Sequence, residues 1–147
     1  MTLRRRRIDV TFQLGPTTSA SDPTVTTNPT FAEGGSRVTL ENHRASATIK
    51  QAGAASMAEA QVRIYGMTPS LMNQLSTLGR VRLAQARNTI SISAGNDEDG
   101  MAVVFQGTIT TAWADFKSAP EVPFHVLAQS GMAAALTIVP AASFTGA

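Results

Sequence analysis

The sequence predicts a mainly β protein, either an antiparallel β-barrel or a two-sheet sandwich with one flanking α-helix. Two observations support this. About six segments alternate apolar and polar residues at period two, as half-buried strands do. Only one segment repeats apolar residues at helical spacing. With 147 residues, the chain is long enough to bury a core without disulfides, so we expect residues 1–147 to form a single domain.

The first strand is predicted over residues 8–14, where every second residue is apolar. Gly15 and Pro16 end it. The following segment, 17–36, consists mostly of Thr, Ser, Pro and Gly, which is typical of a loop. Loops of this length are usually functional or disordered. We therefore expect residues 17–36 to become ordered against a neighbouring molecule.

The next extended segment, residues 37–50, changes the phase of its apolar positions. Val38 and Leu40 are even-numbered, whereas the apolar residues from Ala45 onward are odd-numbered. A slip of one residue is what a β-bulge or a sharp bend produces. The sequence therefore predicts a bend within residues 41–44, which would let one long strand take part in two sheets or turn the corner of a barrel.

A strand followed by the only predicted helix occupies residues 60–79. Apolar and polar residues alternate over 60–65, after which Thr68 is placed as the helix N-cap and Pro69 as the first helical residue. The apolar stripe of the helix consists of Leu71, Met72, Leu75 and Leu78. Gly79 is placed at its C-terminal cap, so a helix of about three turns is predicted.

A β-hairpin is predicted around residues 95–100, which read Gly-Asn-Asp-Glu-Asp-Gly. Glycines at such positions supply the positive φ angles that tight hairpin loops require. The inward face of the strand after this loop is predicted to carry Val103, Phe105 and Ile109. A last strand is predicted over residues 122–128, whereas residues 132–147 are apolar and small without a clear period.

The composition favours an oligomer. Hydrophobic residues make up 43% of the chain and charged residues only 15%, which is a low charge density for a soluble monomer. The alternative is a monomer whose surface consists largely of Ala, Ser and Thr. The chain has no cysteine, and no apolar run approaches the length of a membrane span, so we expect a protein that is soluble when made and has no membrane partner.

No motif in the sequence predicts chemistry. His43 and His125 have no second His or Cys at ligand spacing, and the acidic loop 95–100 lacks the ligand pattern of an EF-hand. The candidate carboxylates fall on different predicted elements and are Asp9, Glu59, Asp115 and Glu121. Because no nucleophile motif or glycine-rich phosphate loop is present, we expect no enzymatic activity, no metal and no cofactor.

Four segments resemble the baseplate hub proteins of tailed bacteriophages. They are residues 61–67 (Gln-Val-Arg-Ile-Tyr-Gly-Met), 72–79 (Met-Asn-Gln-Leu-Ser-Thr-Leu-Gly), 93–96 (Ser-Ala-Gly-Asn) and 104–109 (Val-Phe-Gln-Gly-Thr-Ile). The order of features agrees over nearly the whole chain. The resemblance implies a fold like that of tail-tube proteins, in which a β-barrel with a flanking helix is repeated around a central channel.

The resemblance also implies a function. It predicts a virion protein, made in the cytoplasm of the host bacterium, that forms a trimeric or hexameric ring in the phage tail baseplate. Such a hub or tube-initiating ring joins the tail tube to the spike and lines the conduit through which DNA passes without sequence-specific binding. Because hubs commonly contain two barrels per subunit, this chain is either the N-terminal part of a longer hub or a single-barrel relative.

Three alternatives stay open at this point. The first is a tail-tube or tube-terminator subunit, the second is the hub portion of a cell-wall hydrolase, and the third is a stand-alone ligand-binding barrel. Aromatic residues make up only 5% of the chain, which disfavours the last because ligand pockets prefer aromatic linings.

Two charged clusters are the predicted assembly contacts. The basic cluster is Arg4, Arg5, Arg6 and Arg7, and the acidic cluster is Asp97, Glu98 and Asp99. A basic arm can bind phosphates through counterion release, but no aromatic residues are interleaved here to stack bases. We therefore expect the arginines to pair with acidic groups of a neighbouring subunit, and the alternative is that they are solvated at the entrance of the first strand.

Overall fold

One antiparallel β-sheet dominates the structure. The computed structural model describes residues 4–18, 21–22, 24–51, 53, 56–77 and 88–131. In chain order the elements are β1 (Arg6–Gln13), β2 (Thr17–Thr18), β3 (Thr26–Thr27), β4 (Arg37–Leu40), β5 (Ala45–Lys50), β6 (Glu59–Tyr65), α1 (Pro69–Leu75), β7 (Thr89–Asn96), β8 (Gly100–Ala114), a 3-10 turn (Phe116–Ser118) and β9 (Pro123–Gln129).

The main sheet has seven strands in the order β4-β1-β7-β8-β9-β6-β5, and β2 and β3 form a separate two-stranded ladder. The prediction of a mainly β fold with a single helix is therefore confirmed. No ladder joins the two edge strands, β4 and β5, within the described residues, so hydrogen bonds do not close the sheet into a barrel. None of the helices in the described ranges is long and apolar enough to cross a lipid bilayer.

The sheet must nevertheless curl, because its two edge strands are joined by only four residues. A flat sheet of seven strands would be about 29 Å wide. The connection from Leu40 to Ala45 can span at most about 18 Å. Within this connection Asn42 adopts a φ of 59°, and the chain leaves β1 at the Leu40–Val10 pair and joins β6 at the Ala45–Ile64 pair. The predicted bend in residues 41–44 is confirmed, and β4 and β5 are two halves of one bent strand.

The inside of the curl holds the core. Fully buried side chains come from four of its strands: Val10, Phe12, Ile64, Ile90, Ile92, Phe124 and Val126. Phe31, Met67 and the helix add to the same cluster and cover one side of it. Burial of this apolar surface is the main source of stability, at roughly 25 cal/mol for each Å² removed from water.

The helix begins as predicted but ends early. Thr68 is its N-cap and accepts a hydrogen bond from the Leu71 backbone N–H at 3.4 Å, with Pro69 in the first turn. The expected length of three turns is wrong, because the helix ends at Leu75 after seven residues. After Leu75 the chain bonds to β8 and does not continue as a helix. The Thr77 N–H donates to the carbonyl oxygen of Ala112 at 2.9 Å. The predicted cap Gly79 and the stripe residue Leu78 lie outside the described residues.

The predicted loop 17–36 is partly structured by this chain alone. Thr17–Thr18 pairs with Thr26–Thr27. Farther along, Phe31 is only 3% exposed, and its N–H donates to the Gly35 carbonyl at 2.8 Å. The side-chain amide of Gln74 also donates to the Thr30 carbonyl. Ordering of the exposed part of this loop against a neighbour stays a prediction.

The hairpin between β7 and β8 is confirmed. Its loop is closed by Asn96, whose Oδ1 accepts from the backbone N–H groups of Glu98 at 3.0 Å and Asp99 at 2.6 Å. Gly100 then adopts a φ of 88°, the left-handed conformation that ends three-residue hairpin loops.

The expected inward face of β8 is wrong at one residue. Ile92 pairs with Phe105 but Ser93 pairs with Val103, so Val104 is an extra residue and forms a β-bulge. The bulge shifts the alternation of the strand by one position. Phe105 and Ile109 are buried as predicted, whereas Val103 faces outward and is 60% exposed.

Candidate assembly interface

Three strands of the sheet continue past the core as a ribbon, which we call the open end. It consists of residues 6–9 of β1, 93–96 of β7 and 100–104 of β8. In β1, residues 10–13 pair with both β4 and β7, but residues 6–9 pair only with β7. In β8, pairing with β9 begins at Thr108. Within the described residues the ribbon therefore has two strand edges without a ladder partner.

The two edges of β8 differ in how many of their backbone groups have partners. Where β7 no longer pairs with β8, other parts of the chain take its place. The Ile109 N–H donates to the Asn88 carbonyl at 2.9 Å, and Thr77 bonds both backbone groups of Ala112. Residues 100–107 have no such substitute on the β9 side anywhere in the described parts of the chain. That edge offers main-chain donors and acceptors to a partner.

This free edge of β8 is also apolar. Val103 and Val104 are 60% and 39% exposed, and residues 100–107 contain no charged side chain. Soluble proteins usually protect an exposed strand edge with lysine, proline or an inward-pointing charge. An apolar unpaired edge is the signature of a strand that pairs with another chain.

The structure brings the two predicted charged clusters together within one molecule. The Nε and Nη1 atoms of Arg4 lie 3.1 Å from Glu98 and 2.6 Å from Asp99 respectively, and Arg7 Nη1 lies 2.8 Å from Asp97. These pairs connect the start of β1 to the hairpin tip. Because Arg4 and its partners are more than half exposed, each such pair contributes at most about 1 kcal/mol.

The four arginines thus fall into two groups. Arg4 and Arg7 are engaged with the acidic tip, whereas the side chains of Arg5 and Arg6 make no hydrogen bond or ion pair with any described residue and are exposed. The sequence treated all four as equivalent. The prediction that this cluster contacts a neighbouring subunit therefore rests mainly on Arg5 and Arg6.

Asp9, one of the four candidate carboxylates, is buried, which the sequence did not predict. It is 8% exposed, and its Oδ2 lies 3.3 Å from Arg7 Nε. Its Oδ1 and the Arg7 Nε make no hydrogen bond to any residue that the structure describes. Removal of a charge from water is costly unless a partner compensates it. Arg7 therefore forms two ion pairs. One compensates the buried charge of Asp9, and the other connects β1 to the hairpin tip through Asp97.

A cleft of about 550 Å³ opens beside the free edge of β1. The start of β1, the end of β7 and the bend between β4 and β5 form its walls. Arg5, Arg6, His43 and Arg44 line it, and no Asp or Glu does. The sequence could not show this cleft, because residues 5–8 and 42–45 meet only through the curl of the sheet.

The outer face of the sheet carries a second group of side chains. Trp113 and His125 stack with ring centroids 4.9 Å apart and an angle of 13° between the planes. Arg63 is the cross-strand neighbour of His125, and the Arg44 guanidinium lies 4.7 Å above the Tyr65 ring. His125 lies on this outer face, next to Arg63. The described residues contain no group of three His, Cys, Asp or Glu side chains that could hold a metal ion.

The fold and the site together define an open, curled β-sheet with unpaired strand edges. The sequence matches no protein-family model and no curated protein.

Proposed function

We propose that this chain is a structural subunit that assembles with copies of itself into a closed ring. The observation that carries the proposal is the free edge of β8, where the backbone of residues 100–107 has no partner on the β9 side among the described residues and the side chains of Val103 and Val104 are exposed. The function of such a subunit is to form a surface and a channel and not to catalyse a reaction.

Strand addition explains how this edge would work. A strand of a second molecule that pairs with residues 100–107 would satisfy their main-chain groups and cover both valines. The partner surface on the next copy must differ from β8, because the contact is head to tail. Head-to-tail contacts form closed rings when the rotation between subunits closes, and this closure prevents growth into fibres.

The resemblance to phage baseplate hub proteins supports a specific setting for the ring. In this proposal the ring is trimeric or hexameric and belongs to the tail baseplate of a phage. There it acts as a hub or tube-initiating ring, joins the tail tube to the spike, and surrounds the DNA conduit. A tail-tube or tube-terminator subunit would use the same edge and differ only in its position along the tail.

Sedimentation velocity over a concentration series, with electron microscopy of the assembled fraction, tests the proposal. Wild-type protein is expected to associate weakly as its concentration rises and to give threefold or sixfold class averages. The double variant Val103→Lys/Val104→Lys is expected to remain monomeric, because two charges at the edge oppose strand pairing. Val25→Lys is the control, since Val25 is 49% exposed but belongs to the connection between β2 and β3 and not to β8.

Two results would overturn the proposal. One is a wild-type protein that stays monomeric up to its solubility limit. The other is association of the double variant to the same extent as wild type, with circular dichroism showing that both are folded. Equal loss of association in Val25→Lys would also count against the β8 edge, because the effect would then follow general surface charge.

A further inference from the structure

We propose that the cleft beside β1 binds an extended acidic segment of a different protein, which adds as a strand to the free edge formed by residues 6–9. This inference concerns β1 and the bend, whereas ring assembly is proposed for β8. The two proposals therefore stand or fall separately.

The backbone geometry supplies the first argument. β4 accompanies β1 only as far as the Leu40–Val10 pair, and the chain then turns away at Asn42. In an antiparallel ladder, alternate residues direct both their N–H and C=O groups to the same side. The ladder with β7 therefore uses only half of the main-chain groups of residues 6–9, and the other half point toward the cleft.

Charge supplies the second argument. Arg5 and Arg6 line the cleft, and their side chains have no partner among the described residues. Arg7 also lines the cleft, but it is paired with Asp9 and Asp97. Arg44 adds a further guanidinium, whose ion pair with Glu121 is long at 3.5 Å and about three-quarters exposed on both sides. No carboxylate lines the cleft, and the nearby acidic tip is already occupied by Arg4 and Arg7. A segment that carries carboxylates would therefore meet uncompensated positive charge.

The partner is a different protein and not a second copy of this chain. The only acidic cluster in the sequence is residues 97–99, and it lies in a hairpin loop that cannot present an extended edge. Its carboxylates are also paired within the molecule. A nucleic acid would match the charge of the cleft, but it cannot form a β-ladder with β1. No Phe, Tyr or Trp among the described residues lines the cleft to stack its bases.

Fluorescence anisotropy with a labelled peptide tests the inference. The probe is a peptide of about eight residues in which Glu and Val alternate, so that carboxylates lie on one face of a strand. It is titrated with the full chain. Saturable binding is expected, and affinity is expected to fall as salt is added. The Lys/Val peptide of the same length is expected not to bind.

Variants of the protein test whether peptide binding depends on the arginines of the cleft or on the overall positive charge of the protein. The double variant Arg5→Glu/Arg6→Glu is expected to lower the affinity at least about tenfold, because attraction becomes repulsion. Arg5→Lys/Arg6→Lys is expected to keep most of the binding. The matched control is Arg63→Glu, since Arg63 is exposed and has no ion pair to a described residue but lies on the outer face of the sheet.

A backbone-modified peptide tests strand addition itself. N-methylation at alternate residues keeps every carboxylate and removes the N–H groups on one edge. One of the two possible methylation frames is expected to abolish binding. Amide hydrogen exchange of residues 6–9 is expected to slow when the unmodified peptide binds.

Four results would overturn the inference. They are no binding of the Glu/Val peptide, undiminished binding by Arg5→Glu/Arg6→Glu, equal binding of both N-methylated peptides, and tighter binding of a single-stranded oligonucleotide that competes for the same arginines. The last result would identify a nucleic-acid site in place of a protein-docking site.

Discussion

The same three strands, β1, β7 and β8, form two regions with opposite properties. At the core end, Val10, Ile92 and Phe105 face each other across the sheet and are at most 5% exposed. One row farther along, Ile8 and Ala94 are only partly buried and Ala102 is exposed. Burial is lost over a single repeat of two residues, about 7 Å of strand.

This contrast has a structural cause. Burial ends just beyond the cross-strand neighbours Val10, Ile92 and Phe105. At the same level of the sheet β4 separates from β1, and the bulge at Val104 interrupts the β7–β8 ladder. Beyond this level, the two outer strands of the ribbon, β1 and β8, each have a ladder partner on one side only among the described residues. The core end therefore supplies stability, and the open end supplies unpaired edges. Substitutions of exposed residues at the open end should change binding with little effect on folding, whereas the buried Asp9 and its partner Arg7 are an exception.

The largest expected effect comes from the core. Phe124 is fully buried, so Phe124→Ala should lower the free energy of unfolding by about 3–5 kcal/mol, through lost burial and the cavity that remains. Val103→Ala, at the open end, should change it by less than about 0.5 kcal/mol. Urea unfolding followed by circular dichroism measures both. Similar losses of unfolding free energy in the two variants would contradict the difference in stability between the core end and the open end.

Gly107 tests how tightly the core end is packed. A Cβ atom at this position would lie 2.7 Å from the Phe105 ring and 2.8 Å from the Gln129 carbonyl oxygen. Gly107→Ala should therefore lower the free energy of unfolding by about 1–3 kcal/mol. Gly53→Ala is the control, because a methyl group there would meet no atom within 4 Å and the φ of Gly53 is not left-handed. Thermal unfolding of the two variants should differ clearly.

Arg7 and Arg5 should differ in their contribution to the free energy of unfolding. Arg7→Ala leaves the buried Asp9 without its charge partner and should lower the free energy of unfolding by about 1–3 kcal/mol. Arg5→Ala removes no contact and should be neutral within about 0.5 kcal/mol. Chemical denaturation of both variants measures the difference. Equal stability would show that the Arg7–Asp9 pair contributes nothing to folding.

The smallest expected effect is on the pKa of Asp22, which lies between β2 and β3 and belongs to neither the core end nor the open end. Thr24 donates hydrogen bonds from its hydroxyl and its backbone N–H to Asp22, and they hold the pKa of Asp22 below its ordinary value of 3.8. A lowered pKa stabilises the folded state above pH 3.8, and this contribution is lost as the pH falls through the lowered value. Thr24→Val should raise the pKa of Asp22 toward 3.8 in an NMR titration. An unchanged pKa would mean that the hydroxyl contributes nothing.

Local signals in the sequence predicted most of the elements correctly. The Thr68–Pro69 start of the helix, the glycine-flanked hairpin loop and the bend in residues 41–44 were all found, because each depends on neighbouring residues alone. The end of the helix was not found, because it depends on Thr77 meeting Ala112 on a distant strand.

The candidate site was less predictable. The sequence pointed to the charged clusters, but it could not divide Arg4 and Arg7 from Arg5 and Arg6, since that division depends on which guanidinium groups reach the hairpin tip. Exposure of Val103 follows from the bulge at Val104, and a bulge depends on how two strands pair. Burial of Phe31 depends on the core cluster that it joins, which is formed by residues far from it in the chain.

The sequence by itself determined that this chain forms half-buried strands, one capped helix and a tight hairpin, because alternation, capping and turn chemistry act over a few residues. Only the tertiary structure decided which strand edges stay unpaired, where the arginine-lined cleft opens and which valines face solvent. These properties arise when residues far apart in the chain meet across a curled sheet, and the register of those meetings is set by packing of the whole core.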